Sequence, residues 1–432
     1  MSPVSSSHAL TAPRLPWWDR FPRRSVTHAL SGIQSGSIAL HDHGRELVLG
    51  EGTELQAQLH VHRTRFFRRA FLGGSLAAAE SYIDGDWDCS DLTTFFRIFA
   101  RDQAAASRLD RGVASVVRQF HRCYHWWRRN SRGGSRKNIE SHYDLGNDFF
   151  QLWLDDTMAY SCGLFRDESS SLRAASVEKF DRICRRLNLS AGDEVIEIGS
   201  GWGGFAIHAA QNYGCRVTTT TISREQFELA KQRIEEAGLS DRVTILAADY
   251  RDLSGHFDKL VSIEMVEAVG HQYLDEYFKK CSQLLRPNGA CLIQAIVMPD
   301  RGYQRYLRSV DFIQRYVFPG GCLPSLGAML ASVARVTDMR LAEALDFAPH
   351  YSRTLRAWRD AFMEELPAVR RLGYSDDFIR MWTYYLCYCE AAFEESSIGL
   401  LQMVFAKPQY KDDASQSNGR FEVWQANGGD HR

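Results

Sequence analysis

Three short stretches of the 432-residue chain carry residue types suited to holding a small charged ligand. Glu197-Ile-Gly-Ser-Gly-Trp-Gly places glycines at 199, 201 and 203. Glycine there lets a backbone turn tightly and come close to a ligand. Thr221-Ile-Ser-Arg-Glu-Gln offers Thr221, Ser223 and Gln226, and Asp249-Tyr250 pairs an acid with an aromatic ring that could flank an adenine. A plain strand-to-helix turn would also use such glycines. A dinucleotide site would too, but its fingerprint is GxGxxG, whereas residues 199–203 read GxGxG. Glu197 suits a cationic or hydroxylated group better than a pyrophosphate. Taken together, the three stretches point to S-adenosylmethionine.

A fourth feature is an acid in an apolar setting, Met265-Val266-Glu267-Ala268-Val269. A buried carboxylate is costly unless hydrogen-bonded, so Glu267 is a functional candidate on its own.

The elements around these residues follow from periodicity. Asp193 to Ile198, Cys215 to Ile222, Arg242 to Ala248, Lys259 to Met265 and Ala290 to Val297 read as short strands rich in β-branched residues. Helical patterns separate them: Phe205 to Asn212, a helix capped by Ser223 with Gln226 at the capping-box position, and Tyr273 to Leu285. The second helix carries Phe227, Ala230 and Ile234 on one face. This rhythm predicts an α/β domain, a mostly parallel sheet covered by helices, with all three ligand stretches at carboxyl ends of strands. Tyr303, Tyr306, Leu307, Val310, Ile313 and Val317 then share one helical face, ending at Phe318-Pro-Gly-Gly. Helices are expected from Tyr351 to Leu366 and from Asp376 to Ala392, and a closing strand from Leu400 to Ala406.

Upstream the text differs. Residues 1–25, rich in Ser, Pro and Arg, read as a mobile leader. Residues 26–124 read as a smaller α+β domain, with strands at Glu46–Leu49 and Gln56–Val61 and helices at Phe66–Ala79 and Asp91–Phe120. Residues 125–138, HWWRRNSRGGSRKN, read as a linker, and alternatively as a basic collar led by Trp126 and Trp127 at a membrane interface. Residues 139–408 form the second domain, and 409–432 a disordered tail. The first 140 residues hold 20 Lys and Arg against 13 Asp and Glu, although the whole chain has a net charge of −1. A basic domain on an acidic one suggests an anionic partner, either nucleic acid or a membrane face.

With 44% hydrophobic and 24% charged residues, the composition excludes collagen-like, coiled-coil and wholly disordered chains. No apolar run is long enough to span a bilayer, and the N-terminus lacks the apolar core of a secretory signal. Ten scattered cysteines with no CxxC pair fit a reduced, cytoplasmic chain, and no metal site is expected.

Ile139-Glu-Ser-His-Tyr-Asp-Leu-Gly-Asn-Asp-Phe-Phe, Met158-Ala-Tyr-Ser-Cys-Gly-Leu-Phe, Ser262-Ile-Glu-Met-Val-Glu-Ala-Val-Gly-His, Phe318-Pro-Gly-Gly-Cys-Leu-Pro-Ser and Phe378-Ile-Arg-Met-Trp-Thr-Tyr-Tyr-Leu resemble the cyclopropane-fatty-acyl-phospholipid synthases, including the mycolic acid cyclopropane synthases. The resemblance runs from about residue 139 to 408 and, more weakly, over Ser75 to Phe99. It implies a class I S-adenosylmethionine methyltransferase, Rossmann-like in fold. It also implies a reaction in which the sulfonium methyl passes to a cis alkene in a phospholipid acyl chain. Loss of a proton from the new methyl then closes a ring, with a bound bicarbonate ion as base.

The resemblance implies cofactor contacts at Tyr160, Ser161, Glu197, Gly199, Gly201, Gly203, Thr221, Ser223, Gln226, Asp249 and Tyr250. It implies bicarbonate contacts at Cys162, Glu267, Ile296 (through its backbone) and Tyr351. Well-known members carry a histidine two residues before Ile296, where this chain has Gln294. An amide can hold an oxyanion but cannot take a proton. Two alternatives therefore stand beside ring closure: an acyl methyltransferase giving methyl- or methylene-branched chains, and an inactive lipid-binding protein. The expected partners are unsaturated phospholipid acyl chains, an anionic membrane surface met peripherally from the cytoplasmic side, and a second copy of the chain as a homodimer. Nucleic acid drops out, because the basic segment lacks a recognisable binding motif.

Overall fold

The computed structural model describes residues 17–102, 104, 108 and 145–411. The expected linker at 125–138, residues 109–120 of the expected Asp91–Phe120 helix and tail residues 412–432 lie outside them; that helix already ends at Arg101, where Asp102 leaves helical geometry.

In the first unit, strands β1 (Ser37–Asp42), β2 (Arg45–Leu49), β3 (Gln56–Val61) and β4 (Trp87–Cys89) form a sheet in the order β2-β1-β3-β4. On β3 the alternation expected of a half-buried strand is observed: Ala57, Leu59 and Val61 point into the core. The segment expected as a leader to residue 25 is helical from residue 17, in a helix spanning Trp17–Ser31. Val26 and Leu30, four residues apart, pack one face inward, and buried Asp19 accepts the Thr64 hydroxyl at 3.1 Å. Pro22 lies inside this helix and reads as a breaker in sequence. The Leu92–Arg101 helix is capped by Asp91, which accepts the Thr94 N–H at 2.9 Å.

The second unit holds β5 (Glu194–Ile198), β6 (Arg216–Thr221), β7 (Val243–Ala247), β8 (Phe257–Ile263), β9 (Leu285–Val297), β10 (Arg340–Asp346) and β11 (Gly399–Ala406). Their order is β10-β11-β9-β8-β5-β6-β7. Strands β5 to β9 pair in parallel, and β10 and β11 join antiparallel at one edge. Central β5 is buried from Val195 to Ile198, as a strand covered on both faces must be. This is the expected Rossmann-like sheet.

Ser223 caps the Arg224–Glu236 helix by accepting the Gln226 N–H at 3.3 Å. Gln226 does not close the expected capping box. Its side-chain oxygen accepts the Thr221 hydroxyl at 2.9 Å, and the Ser223 N–H goes to that same hydroxyl oxygen at 3.1 Å. The single helical face expected from Tyr303 to Val317 is broken into a helix at Asp300–Tyr306 and a π-helical turn at Ile313–Val317. Asp311 accounts for the restart, because its side chain accepts the Gln314 N–H at 2.9 Å, an N-cap in the middle of the pattern.

The Asp376–Glu394 helix joins the two units. Its Arg380 donates to the Tyr82 and Trp87 carbonyls at 2.6 and 2.8 Å and lies 4.1 Å over the Tyr82 ring. Its buried Glu390 accepts from Arg356, Arg359 and Thr93.

Candidate active site

The carboxyl end of the sheet opens on one cavity of about 510 Å³. The glycine loop between β5 and the next helix forms one wall. Gly199, Gly201 and Gly203 all have positive φ, and a Cβ on Gly201 (φ +49°) would enter open space. Glu197, at the end of β5, is buried and accepts the Thr219 hydroxyl at 2.6 Å. Burial pushes its carboxyl up to about 8, so a cationic group brought beside it would favour its ionised form. Thr221, Gln226, Asp249 and Tyr250 line the same cavity from the ends of β6 and β7. Asp249 is held by Arg251 at 2.6 Å. These features fit S-adenosylmethionine: an open glycine cradle, an acid with no cationic partner among the described residues, and an acid beside an aromatic ring.

Two residues expected at the cofactor stand behind it: Gly203 caps the Gly204–Tyr213 helix, and Ser223 caps the next. Tyr160 and Ser161 line the cavity from the segment before the Leu172–Leu187 helix. That segment is fastened by Arg233, which donates to the Asp156, Thr157 and Trp202 carbonyls at 2.8, 3.2 and 2.6 Å. One cation thus ties the Tyr160 segment to the glycine loop. Ser161 in turn accepts buried Lys179 at 2.6 Å.

The residues expected around a bicarbonate ion do converge, but on a side chain. Glu264, at the end of β8, accepts the Cys162 backbone N–H at 2.9 Å, the Gln294 amide at 2.7 Å and the Tyr351 hydroxyl at 2.6 Å. Two of the expected ion contacts, Cys162 and Tyr351, are therefore already occupied by a carboxylate, together with the Gln294 amide. The other two meet each other, the Ile296 N–H donating to Glu267 at 2.5 Å. The donors present do not fit a resident bicarbonate, because none of these four is left over for one. The Cys162 thiol itself is turned to the Gly163 carbonyl at 3.2 Å, and burial holds its pKa well above the usual value. Gln294 does not line the cavity; it is gripped from behind by Gln402 at 2.8 Å.

Sequence reasoning passed over Glu264. Its signal was an acid closing a buried strand three residues before Glu267, at a point where charge is commonplace. The backbone is unusual there, with φ +49°. The two carboxyls differ. Burial raises both, but Glu264 has three donors and the Lys179 charge nearby to hold its anion. Glu267 has one donor and the Glu264 charge against it, which pushes it up to about 8. Its second oxygen has no hydrogen-bond partner among the described residues. Hydrogen bonding thus favours the anion at Glu264, where three donors converge, over Glu267, which has one.

Beyond the carboxyls the cavity becomes aromatic and aliphatic, with Ile313, Phe318, Leu323, Tyr385, Tyr388 and Phe393 in its wall.

The model of the mycolic acid cyclopropane synthetase family matches residues 130–403. The chain belongs to this family. A tuberculostearic acid methyltransferase, UfaA1, of Mycobacterium tuberculosis is 36% identical over 92% of this chain and 96% of its own. The cyclopropane-fatty-acyl-phospholipid synthase of Escherichia coli is 37% identical over 81% of this chain and 88% of its own. The crystal structure of mycolic acid cyclopropane synthase CmaA1 complexed with SAH and CTAB superposes with a TM-score of 0.59 at 27% identity, over 63% of this chain and 98% of the other. As a family member, the protein is an S-adenosylmethionine-dependent methyltransferase with the class I fold.

Proposed function

We propose that the protein methylates the cis double bond of an unsaturated phospholipid acyl chain. The observation that carries this reading is the single cavity that combines a glycine cradle, two buried carboxyls and an aromatic, aliphatic wall. A hydrocarbon nucleophile offers no polar handle, so it must be held by apolar surface and kept from water. When bound, S-adenosylmethionine supplies an electrophilic methyl group. The chain's own residues then do the rest. Glu197 and the glycine loop orient the cofactor, the apolar wall aligns the alkene, and the carboxyl pair lies where a proton can be held. Alkene attack leaves a carbocation, and proton loss from the new methyl closes a cyclopropane ring.

A second reading keeps the methyl transfer and ends in a methyl- or methylene-branched chain. Gln294 in place of the family's histidine favours it, as does the similarity to a relative named a methyltransferase over nearly its whole length. Purified protein, S-adenosylmethionine and vesicles of one cis-monounsaturated phospholipid, followed by gas chromatography–mass spectrometry of the acyl chains, separate the two. Either product supports methylation of the double bond. Cofactor binding with unchanged acyl chains would overturn it.

The reading requires a membrane encounter from the cytoplasmic side. Among the described residues no helix is long and apolar enough to cross a membrane. Trp18 and Phe21 are 53% and 65% exposed on the first helix, beside exposed Arg20 and Arg24. Leu72 and Arg68 are exposed on the helix packed against it. Aromatic rings among arginines suit an anionic bilayer face, and residues 103–140, with nine Lys and Arg against two Asp and Glu, add charge of the same sign.

A further inference from the structure

We propose that the carboxylate of Glu264 stands in place of a bicarbonate ion and is the base that removes the proton from the newly added methyl group. This rests on the proposed function and deepens it. The geometry is that of an anion site filled from within. A carboxylate and a bicarbonate share a planar pair of oxygens of similar basicity. Here that pair receives the Cys162 N–H, the Gln294 amide and the Tyr351 hydroxyl, all between 2.6 and 2.9 Å. The side chain lines the cavity while remaining tethered by its own backbone, whose N–H donates to the Gln294 carbonyl at 2.8 Å. Left-handed backbone at a non-glycine residue is uncommon, and here it aims the carboxylate at these donors.

Gln294 is consistent with the same assignment. A histidine at that position could share a proton with a diffusible ion. The amide can only donate to Glu264 and accept from Gln402, which fixes the carboxylate and leaves it unprotonated. The Lys179 charge also favours the anion of Glu264, although burial lowers the pKa of that lysine. Three donors reach Glu264 and one reaches Glu267, so hydrogen bonding favours the ionised form of Glu264, the state a base requires.

The step balances without a further reactant. A C–H bond of the new methyl breaks, its proton passes to a Glu264 oxygen, and its electron pair forms the last ring bond. In the branched outcome, a 1,2-hydride shift comes first and the same electron pair forms an exocyclic double bond. Glu264 ends as a neutral carboxylic acid and loses its proton before the next turnover.

The test is bicarbonate dependence. Wild-type turnover on cis-monounsaturated phospholipid vesicles is measured in carbon-dioxide-depleted buffer and with added bicarbonate, beside Glu264→Gln and Glu264→Gly. Glycine suits the local φ and vacates the carboxylate's space. Wild type should run equally well in both buffers. Glu264→Gln should lose roughly 10²–10⁴-fold in product formation in both. Glu264→Gly should be equally impaired in depleted buffer and recover as bicarbonate is added, with ¹³C-bicarbonate resonances broadened by this variant and not by wild type. Calorimetric binding of S-adenosylmethionine to each variant confirms the fold. A wild type that requires bicarbonate, or a Glu264→Gln variant with wild-type rate, overturns the assignment and leaves acyl methylation standing. Wild type that binds cofactor and makes no product in either buffer overturns both.

Discussion

The carboxyls of the cavity are distinguished by what holds each one, and their pH behaviour follows. Glu197 has the Thr219 hydroxyl as donor and is pushed up to about 8 by burial. A cationic ligand beside it engages the ionised form, so below pH 8 binding must first expel a proton. Affinity for S-adenosylmethionine should therefore fall by about tenfold per unit from pH 8 to pH 6. Glu197→Gln should weaken binding and flatten the profile; a flat wild-type profile in calorimetry would sink this role. The ligand-free fold should respond oppositely. Glu197 and Glu267 both have folded pKa values above their usual 4.5, so the native state binds more protons than the unfolded chain. The stability linked to them is full below pH 4.5 and is lost as pH rises through 8. Glu267, protonated at neutral pH, is mimicked by an amide. Glu267→Gln should accordingly retain far more activity than Glu264→Gln in a product assay at pH 7, and equal losses would contradict the division of charge between them. Glu267 was legible in sequence because apolar residues flank it on both sides. Glu264 was not, because nothing in its neighbours says that three distant donors meet there.

Elements were more legible than their joints. The strands β5 to β9 follow from β-branched runs and the glycine loop from its spacing, since both are local patterns. The Trp17–Ser31 helix was hidden by Pro22 and a Ser-rich approach, and its helicity depends on the sheet and helix it packs against. The apolar period from Tyr303 to Val317 was real, but the Asp311 cap divides the segment, and periodicity does not register a cap inside it. Arg233 shows how one element positions another. Three carbonyls from two segments converge on it, so Arg233→Met would leave them without their donor. Charge-assisted bonds of this kind contribute about 1.5–3 kcal/mol. Arg233→Met should lower stability in that range and weaken S-adenosylmethionine binding by loosening both the Tyr160 segment and the glycine loop. Wild-type affinity in the folded variant would show that the clamp is structural only.

At the scale of the molecule, the first unit and the catalytic unit meet through the Asp376–Glu394 helix, which also reaches the cavity at Tyr385, Tyr388 and Cys389. The surface proposed to meet the membrane is thereby connected to the cavity through this helix. In that proposal exposed Trp18, Phe21 and Leu72 supply apolar contact, and exposed Arg20, Arg24 and Arg68 supply charge. The two contributions separate experimentally, because only the second is screened by salt. Replacing the three arginines with Gln should weaken sedimentation with anionic vesicles by on the order of 1 kcal/mol per residue and reduce its salt sensitivity. Replacing Trp18 and Phe21 with Ser should weaken binding to anionic and neutral vesicles alike. The 128–137 cluster of Arg128, Arg129, Arg132, Arg136 and Lys137 lies outside the described residues, and its replacement by Gln is the parallel test of the collar. In every surface variant, S-adenosylmethionine affinity should stay at the wild-type value while methylation of vesicle lipid falls and methylation of detergent-dispersed lipid persists. Equal binding of the unaltered protein to neutral and anionic vesicles at low salt would remove the charged surface from the mechanism. The acyl chain would then have to reach the cavity without electrostatic docking.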